Sequence, residues 1–342
     1  GGAITDSGNV LVSGTTTLEA GAGNSITLDQ AGNDVDNDDT GDGVSITSGN
    51  NVTLVGVDAI VLGASTISGT LDVTASGTIT DSGTVSVTGT VTLDANGGAS
   101  DITLDDNGDA TYTNTFGTLV LTGNNVTVYE NAAMDFGATS VGTNLVAQAE
   151  TGDISDSGAV TVGGTSQFTV ADTQSVVLDV VGNDFTGNVT FGSAGTIANV
   201  TVDDASAFAI QAGLTISGNL DITAGGAITD LGAVSVGGTS RFATDVAADV
   251  TLDGASTYTG TVSFDTTVGT TTGNAALTNA ASAIDLGASA VDGTLQVGAG
   301  GAITDSGNVL VSGTTTLDAG AGNNITLDQA GNDFDNDDTG DG

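Results

Sequence analysis

An acidic run, GNDVDNDDTGDG at residues 32–43, has the residue types and spacing of a cation-binding loop. Asp36, Asp38 and Thr40 are followed by Gly41, which gives the D-x-D-x-T-G spacing of the first half of a calcium loop. Oxygen ligands two residues apart around a glycine turn suit Ca²⁺. Thr47 stands where such a loop would place its bidentate glutamate. The alternative interpretation is therefore an acidic turn that is simply solvated.

The acidic run occurs a second time near the end of the chain, so the candidate ligands form two sets. These candidates for a Ca²⁺ cofactor are Asp34, Asp36, Asp38, Thr40 and Asp42 in the first copy, and Asp333, Asp335, Asp337, Thr339 and Asp341 in the second.

Composition restricts the catalytic chemistry that the chain could support. The sequence has no His, no Cys and a single basic side chain, Arg241, against 42 Asp and Glu, and its formal net charge is −41. A serine or cysteine nucleophile activated by histidine is excluded, as is a lysine base. Carboxylate pairs of the glycosidase kind are present, but they recur along a nearly uniform repeat. We expect no enzymatic activity and, because phosphate binding needs Lys and Arg, no nucleic acid partner.

The phrase GAITDSG and its relatives define a long internal repeat. The aspartates of this phrase recur at an almost constant interval; they are Asp6, Asp81, Asp156, Asp230 and Asp305. The sequence therefore predicts repeat units at 1–75, 76–150, 151–224 and 225–299, with a partial fifth unit at 300–342. Each such aspartate is expected to start a turn and to cap backbone N–H groups.

A longer period is superimposed on this repeat. Residues 1–43 match residues 300–342 at an offset of 299, with three differences. We expect from this copy that the chain is a fragment of a longer protein built on a 299-residue super-repeat.

Short apolar runs alternate with polar residues throughout each unit, which is typical of β-strands. Gly, Asn, Asp or Ser separates nearly every pair of runs, as turns require, and no segment has a helical period. Two architectures fit such a unit: a small sandwich domain, or three to four coils of a solenoid. The scarcity of aromatic residues, the absence of Pro and the lack of linkers favour an all-β parallel β-solenoid that is continuous over residues 1–342.

Asparagine pairs such as Asn50–Asn51 and Asn124–Asn125 are predicted to occupy the corners of the coils and to stack as amide ladders. The scattered aromatic residues are predicted to fill the wider coils. They include Phe168, Phe185, Phe191, Phe242, Tyr258 and Phe264.

Strings such as LDVTASGTITDSGTVSVTGTVTLDA and VGNDFTGNVTF resemble the repeats of filamentous-haemagglutinin-type adhesins and related large autotransported proteins. The resemblance covers essentially the whole chain. It implies a right-handed parallel β-helix that is secreted by Gram-negative bacteria and displayed at the cell surface. The strong acidity of this chain departs from that family.

The leading hypothesis is an extracellular structural or adhesive filament protein whose partners are further repeats or copies of the same chain. A calcium-stabilised adhesin that binds glycans or another cell is the main alternative. Two further alternatives are an ice-binding solenoid and a series of tandem β-sandwich adhesin domains. No apolar run approaches the length of a membrane span, so no membrane insertion of this segment is expected.

Overall fold

A computed structural model describes residues 1–35, 43–105, 113–267, 272–280 and 282–334. Alternation of apolar and polar residues sets the strands. In Leu71–Ala75, for example, the first, third and fifth side chains are buried and the two between them are exposed. Side chains of a strand point alternately to its two faces, so β-branched and leucine residues at every second position form one buried face. The chain divides into two compact units, Gly1–Ala171 and Asp172–Gly342.

The first unit consists of short parallel strands and one 3-10 turn, Asn96–Gly98. Its strands are β1 Ile4–Thr5, β2 Thr16–Glu19, β3 Ile26–Leu28, β4 Val44–Ser48, β5 Val52–Gly56, β6 Ile60–Leu62, β7 Ser65–Ile67, β8 Leu71–Ala75, β9 Ile79–Asp81, β10 Val85–Val87, β11 Val91–Ala95, β12 Ile102–Leu104, β13 Thr118–Gly123, β14 Val126–Glu130, β15 Met134–Phe136, β16 Thr139–Val141, β17 Leu145–Ala149, β18 Ile154–Asp156, β19 Val160–Val162 and β20 Ser166–Val170.

Strands of the first unit stack coil upon coil. One face runs in the order β3, β5, β8, β11, β13, and a second runs β4, β6, β9, β12, β14, β17, β20. Along the first face Val52 pairs with Leu71, Leu71 with Val91, and Val91 with Leu119, so the third of these coils is longer than the two before it. This longer coil takes up its additional residues in two places, between β11 and β12 and between β12 and β13.

The second unit is built in the same way. Its strands are β21 Val176–Leu178, β22 Asp184–Phe185, β23 Val189–Ser193, β24 Val200–Asp204, β25 Phe208–Ile210, β26 Thr215–Ile216, β27 Leu220–Ala224, β28 Ile228–Asp230, β29 Ser235–Val236, β30 Ser240–Thr244, β31 Val250–Leu252, β32 Thr257–Tyr258, β33 Thr261–Asp265, β34 Ala275–Asn279, β35 Ile284–Leu286, β36 Ser289–Val291, β37 Leu295–Ala299, β38 Ile303–Asp305, β39 Val309–Val311, β40 Thr315–Asp318 and β41 Ile325–Thr326. Its faces run β24, β27, β30, β33 and β25, β28, β31, β34, β37, β40, with a short third face β26, β29, β32.

A bend interrupts one face in each unit. In the second unit the single strand β33 pairs with β35 at its start and with β36 at its end, and the chain bends at Gly287 between those two strands. A Cβ atom at Gly287 would lie 2.3 Å from the hydroxyl oxygen of Ser263. A larger residue at this bend would therefore require the Ser263 hydroxyl on the neighbouring coil to rotate away.

The solenoid interior consists of Val, Ile and Leu ladders and a few aromatic rings. The aromatic residues predicted to fill the coils are buried, with Phe168, Phe242 and Tyr258 fully so. Phe242 stacks on Phe264 at a centroid distance of 6.0 Å and meets Tyr258 edge-on at 6.0 Å. Such ring pairs stabilise beyond the area that they bury.

Parallel pairing between successive coils of the described strands confirms the predicted fold class, an all-β parallel β-solenoid. Tandem sandwich domains are ruled out for the described strands because their pairings are parallel, whereas sandwiches are built from antiparallel sheets. Within the described residues, no helix has the length and apolar character needed to cross a membrane.

Candidate functional site

Aspartates of the repeated ITDSG phrase form a contact that we call the Asp–Asn clasp, defined by the pairs Asp6–Asn33, Asp81–Asn114 and Asp305–Asn332. The amide nitrogen of each asparagine donates to the carboxylate, at 2.7, 2.6 and 2.6 Å respectively. The partners lie 27 or 33 residues apart, so each clasp joins one coil to the next.

Backbone groups complete each clasp. Asp81 Oδ1 accepts from the N–H of Asp105 at 3.0 Å, and Asn114 Oδ1 accepts from the N–H of Val85 at 2.7 Å. Both side chains are buried, so these groups satisfy one another in place of water. The sequence-based expectation of a capping aspartate is met here, with a difference: the capped N–H of Asp105 belongs to the following coil and not to the aspartate's own turn.

Charge at the clasps is stabilised by hydrogen bonding. The amide of Asn33, together with backbone N–H groups, holds the pKa of Asp6 below its usual range. Asp305 also has a lowered pKa; burial opposes this, and it is outweighed by the combined hydrogen bonds from Asn332 and two backbone N–H groups. Donors aimed at a carboxylate favour its ionised form.

The fourth unit departs from this pattern. Ser256 takes the place of the asparagine, and its hydroxyl accepts from the N–H of Val234 at 3.0 Å. Asp230 accepts from the backbone N–H of Gly254 in place of a side-chain amide, and burial raises its pKa. Tyr258, two residues after Ser256, is fully buried.

Corner asparagines form the amide ladders that the sequence predicts. Asp101 accepts from the side-chain amides of Asn124 and Asn125, Asn144 donates to Asn125 at 3.1 Å, and Thr165 donates its hydroxyl to Asn144 at 2.7 Å. Hydrogen bonds from Asn125 also lower the pKa of Asp101. Similar ladders in the second unit follow Asn199, Asn219 and Thr239, and Asp249, Asn274 and Thr294.

Replacing Asn144 by alanine is expected to lower the free energy of unfolding by about 1 kcal/mol, the net worth of a partly exposed hydrogen-bonded group. Chemical denaturation measures the change. Asn131→Ala is the matched control, because Asn131 is exposed and lies outside the ladders. An equal loss in both variants would show that the ladder contributes nothing.

Of the candidate calcium ligands in each copy of the acidic run, only the first lies within the described residues. Asp34 is buried. Its backbone N–H donates to the carbonyl of Val10 and its carbonyl accepts from the N–H of Val12, which forms a parallel bridge to the preceding coil. Asp333 makes the same backbone bridge through Val309 and Val311. The other candidate calcium ligands lie outside the described residues: Asp36, Asp38, Thr40, Asp42, Asp335, Asp337, Thr339 and Asp341. Over the part of the chain that is described, no three acidic, His or Cys side chains come together as a metal site.

Calcium binding therefore stays a prediction. If the run binds Ca²⁺, melting in millimolar calcium should occur at a higher temperature than melting in EDTA, because a ligand that binds the folded state stabilises it. Ionic strength must be fixed, because salt alone screens the repulsion of 42 acidic residues. Asp36→Asn and Asp38→Asn, combined with Asp335→Asn and Asp337→Asn in the second copy, should remove the difference. Identical melting curves for the unmodified chain would eliminate the calcium site.

Arg241 lies on β30 and pairs with Asp221 at 3.0 Å, where both side chains are partly exposed. It also donates to the hydroxyl of Thr223. The side chain borders a shallow groove of about 350 Å³ beside the bend of the second unit. Asp265, Asn308 and Leu310 also line this groove. Hydrogen-bonding and apolar groups are thus brought side by side on an outer face.

A recurring buried position at the end of one strand in each repeat was not predicted from the sequence. The segments NVTLVG, NVTVYE, NVTVDD and NAALTN end in Gly56, Glu130, Asp204 and Asn279, which we call the interior polar position. All four residues are buried. Strand alternation could have identified these four residues as inward-facing. Each continues a row of buried residues at every second position, as Glu130 continues the row of Val126 and Val128.

Stacked parallel coils joined by recurring polar contacts define the chain as a repeat protein of the β-solenoid class. It belongs to the family of repeats of unknown function DUF5649, whose model matches residues 1–40, 49–122, 123–192, 197–265 and 272–339. The interior polar position lies at the same distance from the beginning of each of the last four matches. No curated protein and no solved structure shows significant similarity to the chain.

Proposed function

We propose that the chain is part of an extracellular structural or adhesive filament of a bacterial surface, of the filamentous-haemagglutinin type, and that it has no catalytic role. The observation that carries the proposal is the recurrence of the Asp–Asn clasp at the same point of several repeats. A clasp that links each coil to the next suits an architecture that extends by adding coils. The partners are further repeats or copies of the same chain.

Strong negative charge restricts the partners that we propose for the chain. With a net charge of −41 the surface repels nucleic acid and anionic lipid, so neither is proposed as a partner, and no membrane insertion is proposed for this segment. Self-repulsion of this size keeps neighbouring filaments apart in solution.

Immunogold labelling tests the location. An antibody against the recombinant chain should label intact cells of the source bacterium, and brief protease treatment of those cells should remove the label. A cytoplasmic protein treated in parallel controls for lysis. Label confined to the interior of sectioned cells would overturn the proposal.

Glycan binding is the second candidate, and the groove beside Arg241 is the observation that favours it. Sugars present hydroxyl groups and apolar C–H faces together, and Asp265, Asn308 and Leu310 offer partners for both. Binding to a glycan array in the presence and absence of calcium would distinguish an adhesin from a passive filament. Asp265→Ala should abolish any binding at this groove.

A further inference from the structure

Two carboxyl groups lie inside the solenoid, at the interior polar position of consecutive repeats. Glu130 ends β14 and is fully buried, and its Oε1 accepts from the N–H of Phe116 at 2.7 Å. Its second oxygen, Oε2, is buried and has no hydrogen-bond partner among the described residues. An ionised carboxylate in such a place loses its hydration without full compensation.

Asp204 ends β24 and is also fully buried. Its Oδ1 accepts from the N–H of Phe185 at 3.2 Å and from the N–H and hydroxyl of Ser206, each at 3.1 Å. Its Oδ2 is buried, and no described residue donates a hydrogen bond to it. Glu130 and Asp204 therefore share one arrangement: one oxygen receives N–H groups and the other faces the interior.

Neutral residues occupy the same position in the other repeats. Gly56 has no side chain to charge, and Asn279 donates its amide to the hydroxyl of Ser282 at 2.9 Å and to the carbonyl of Ala283 at 3.0 Å. The position thus holds an uncharged group in two of its four occurrences. This indicates that a carboxyl group is best accommodated there in its neutral, protonated form.

We infer that Glu130 and Asp204 make the solenoid sensitive to pH: each is buried as the neutral acid, and its ionisation loosens the coils that enclose it. Burial raises the pKa of Glu130 from 4.5 to about 8, outweighing the hydrogen bond from Phe116. Burial likewise raises the pKa of Asp204, with a smaller contribution from the charge of Asp184.

Neighbouring titratable groups supply no compensating positive charge. On the elements around β14 the described titratable groups are Asp101 before β12, Asp105 after β12, Tyr129 on β14 itself and Glu150 after β17. No cation is among these four, so none of them would favour ionised Glu130.

Around β24 the described groups are Asp179 after β21, Asp184 on β22, Asp203 on β24 itself and Asp221 on β27. The only cation among the side chains of the sequence, Arg241, is already paired with Asp221.

The sign of the effect follows from proton binding. Between pH 4.5 and about 8 the folded chain holds a proton on Glu130 that the unfolded chain has released. Stability is therefore greatest below pH 4.5 with respect to this group and falls as pH rises toward 8. For each proton that the folded chain retains in this way, a rise of one pH unit within that window lowers the folding equilibrium constant by up to about tenfold.

Urea denaturation at pH 5.5 and pH 8, at fixed ionic strength, tests the inference. The midpoint of the unmodified chain should fall markedly at pH 8, and Glu130→Gln with Asp204→Asn should flatten the dependence. Glu19→Gln is the matched control, because it removes an exposed carboxyl on β2, away from Glu130 and Asp204, and should leave the slope unchanged. A double variant with the slope of the unmodified chain would overturn the inference.

Infrared spectroscopy gives a readout that needs no variant to fold. The unmodified chain at pH 7 should show the carbonyl band of protonated carboxylic acid, and this band should disappear above pH 9. Absence of the band at pH 7 would equally overturn the inference.

Discussion

Replacing Asn114 by alanine should lower the free energy of unfolding of its coils by about 3 kcal/mol, because it removes two buried hydrogen bonds, at about 1–3 kcal/mol each. These bonds join Asn114 to the Oδ2 atom of Asp81 at 2.6 Å and to the N–H of Val85 at 2.7 Å. Asp81 is 4% exposed and Asn114 is 0% exposed, so water cannot readily replace the lost amide.

Native-state hydrogen exchange measures this loss where it arises, because a repeat protein can open locally without unfolding as a whole. Amides of β9, β10 and β12 should exchange faster in Asn114→Ala, while those of distant coils keep their rates. Asn131→Ala, at an exposed position, supplies the baseline. If the amides around Asp81 kept their protection in Asn114→Ala, the clasp would have no energetic role.

The second large loss of stability is expected when Phe242 is replaced by alanine. Loss of a fully buried phenylalanine costs about 3–5 kcal/mol, through lost apolar burial and the cavity that is left. Here the ring also contacts Phe264 and Tyr258, each at a centroid distance of 6.0 Å, so its removal opens a cavity beside two further rings. We expect a lower urea midpoint and faster exchange in β30 and β33.

Two variants control for this effect. Phe242→Leu keeps most of the volume and should cost less than about 1.5 kcal/mol. Val246→Ala, at a position that is 46% exposed, should change stability by less than about 0.5 kcal/mol. Equal effects of Phe242→Ala and Phe242→Leu would mean that the coil collapses around the missing ring and that its packing is not specific.

Parts of the polar organisation were predictable because they are local. An aspartate followed by Ser and Gly predicts a turn with a capping side chain, and Asp81 does cap a backbone N–H. Paired asparagines predict corners, and Asn124 and Asn125 lie in a corner ladder. Their partners were not predictable, because the coils differ in length and those lengths decide which residues meet.

The sequence by itself determined that the chain forms β-strands and which alternate side chains of each strand face inward. It also excluded chemistry that needs histidine, cysteine or lysine. These follow from residue type and from a period of two, which each strand carries within itself. Only the tertiary structure decided that Asp81 meets Asn114 across 33 residues and that Glu130 lies in the interior with one oxygen unpartnered among the described residues. Such contacts depend on the register between coils, and the lengths of the connecting segments set that register.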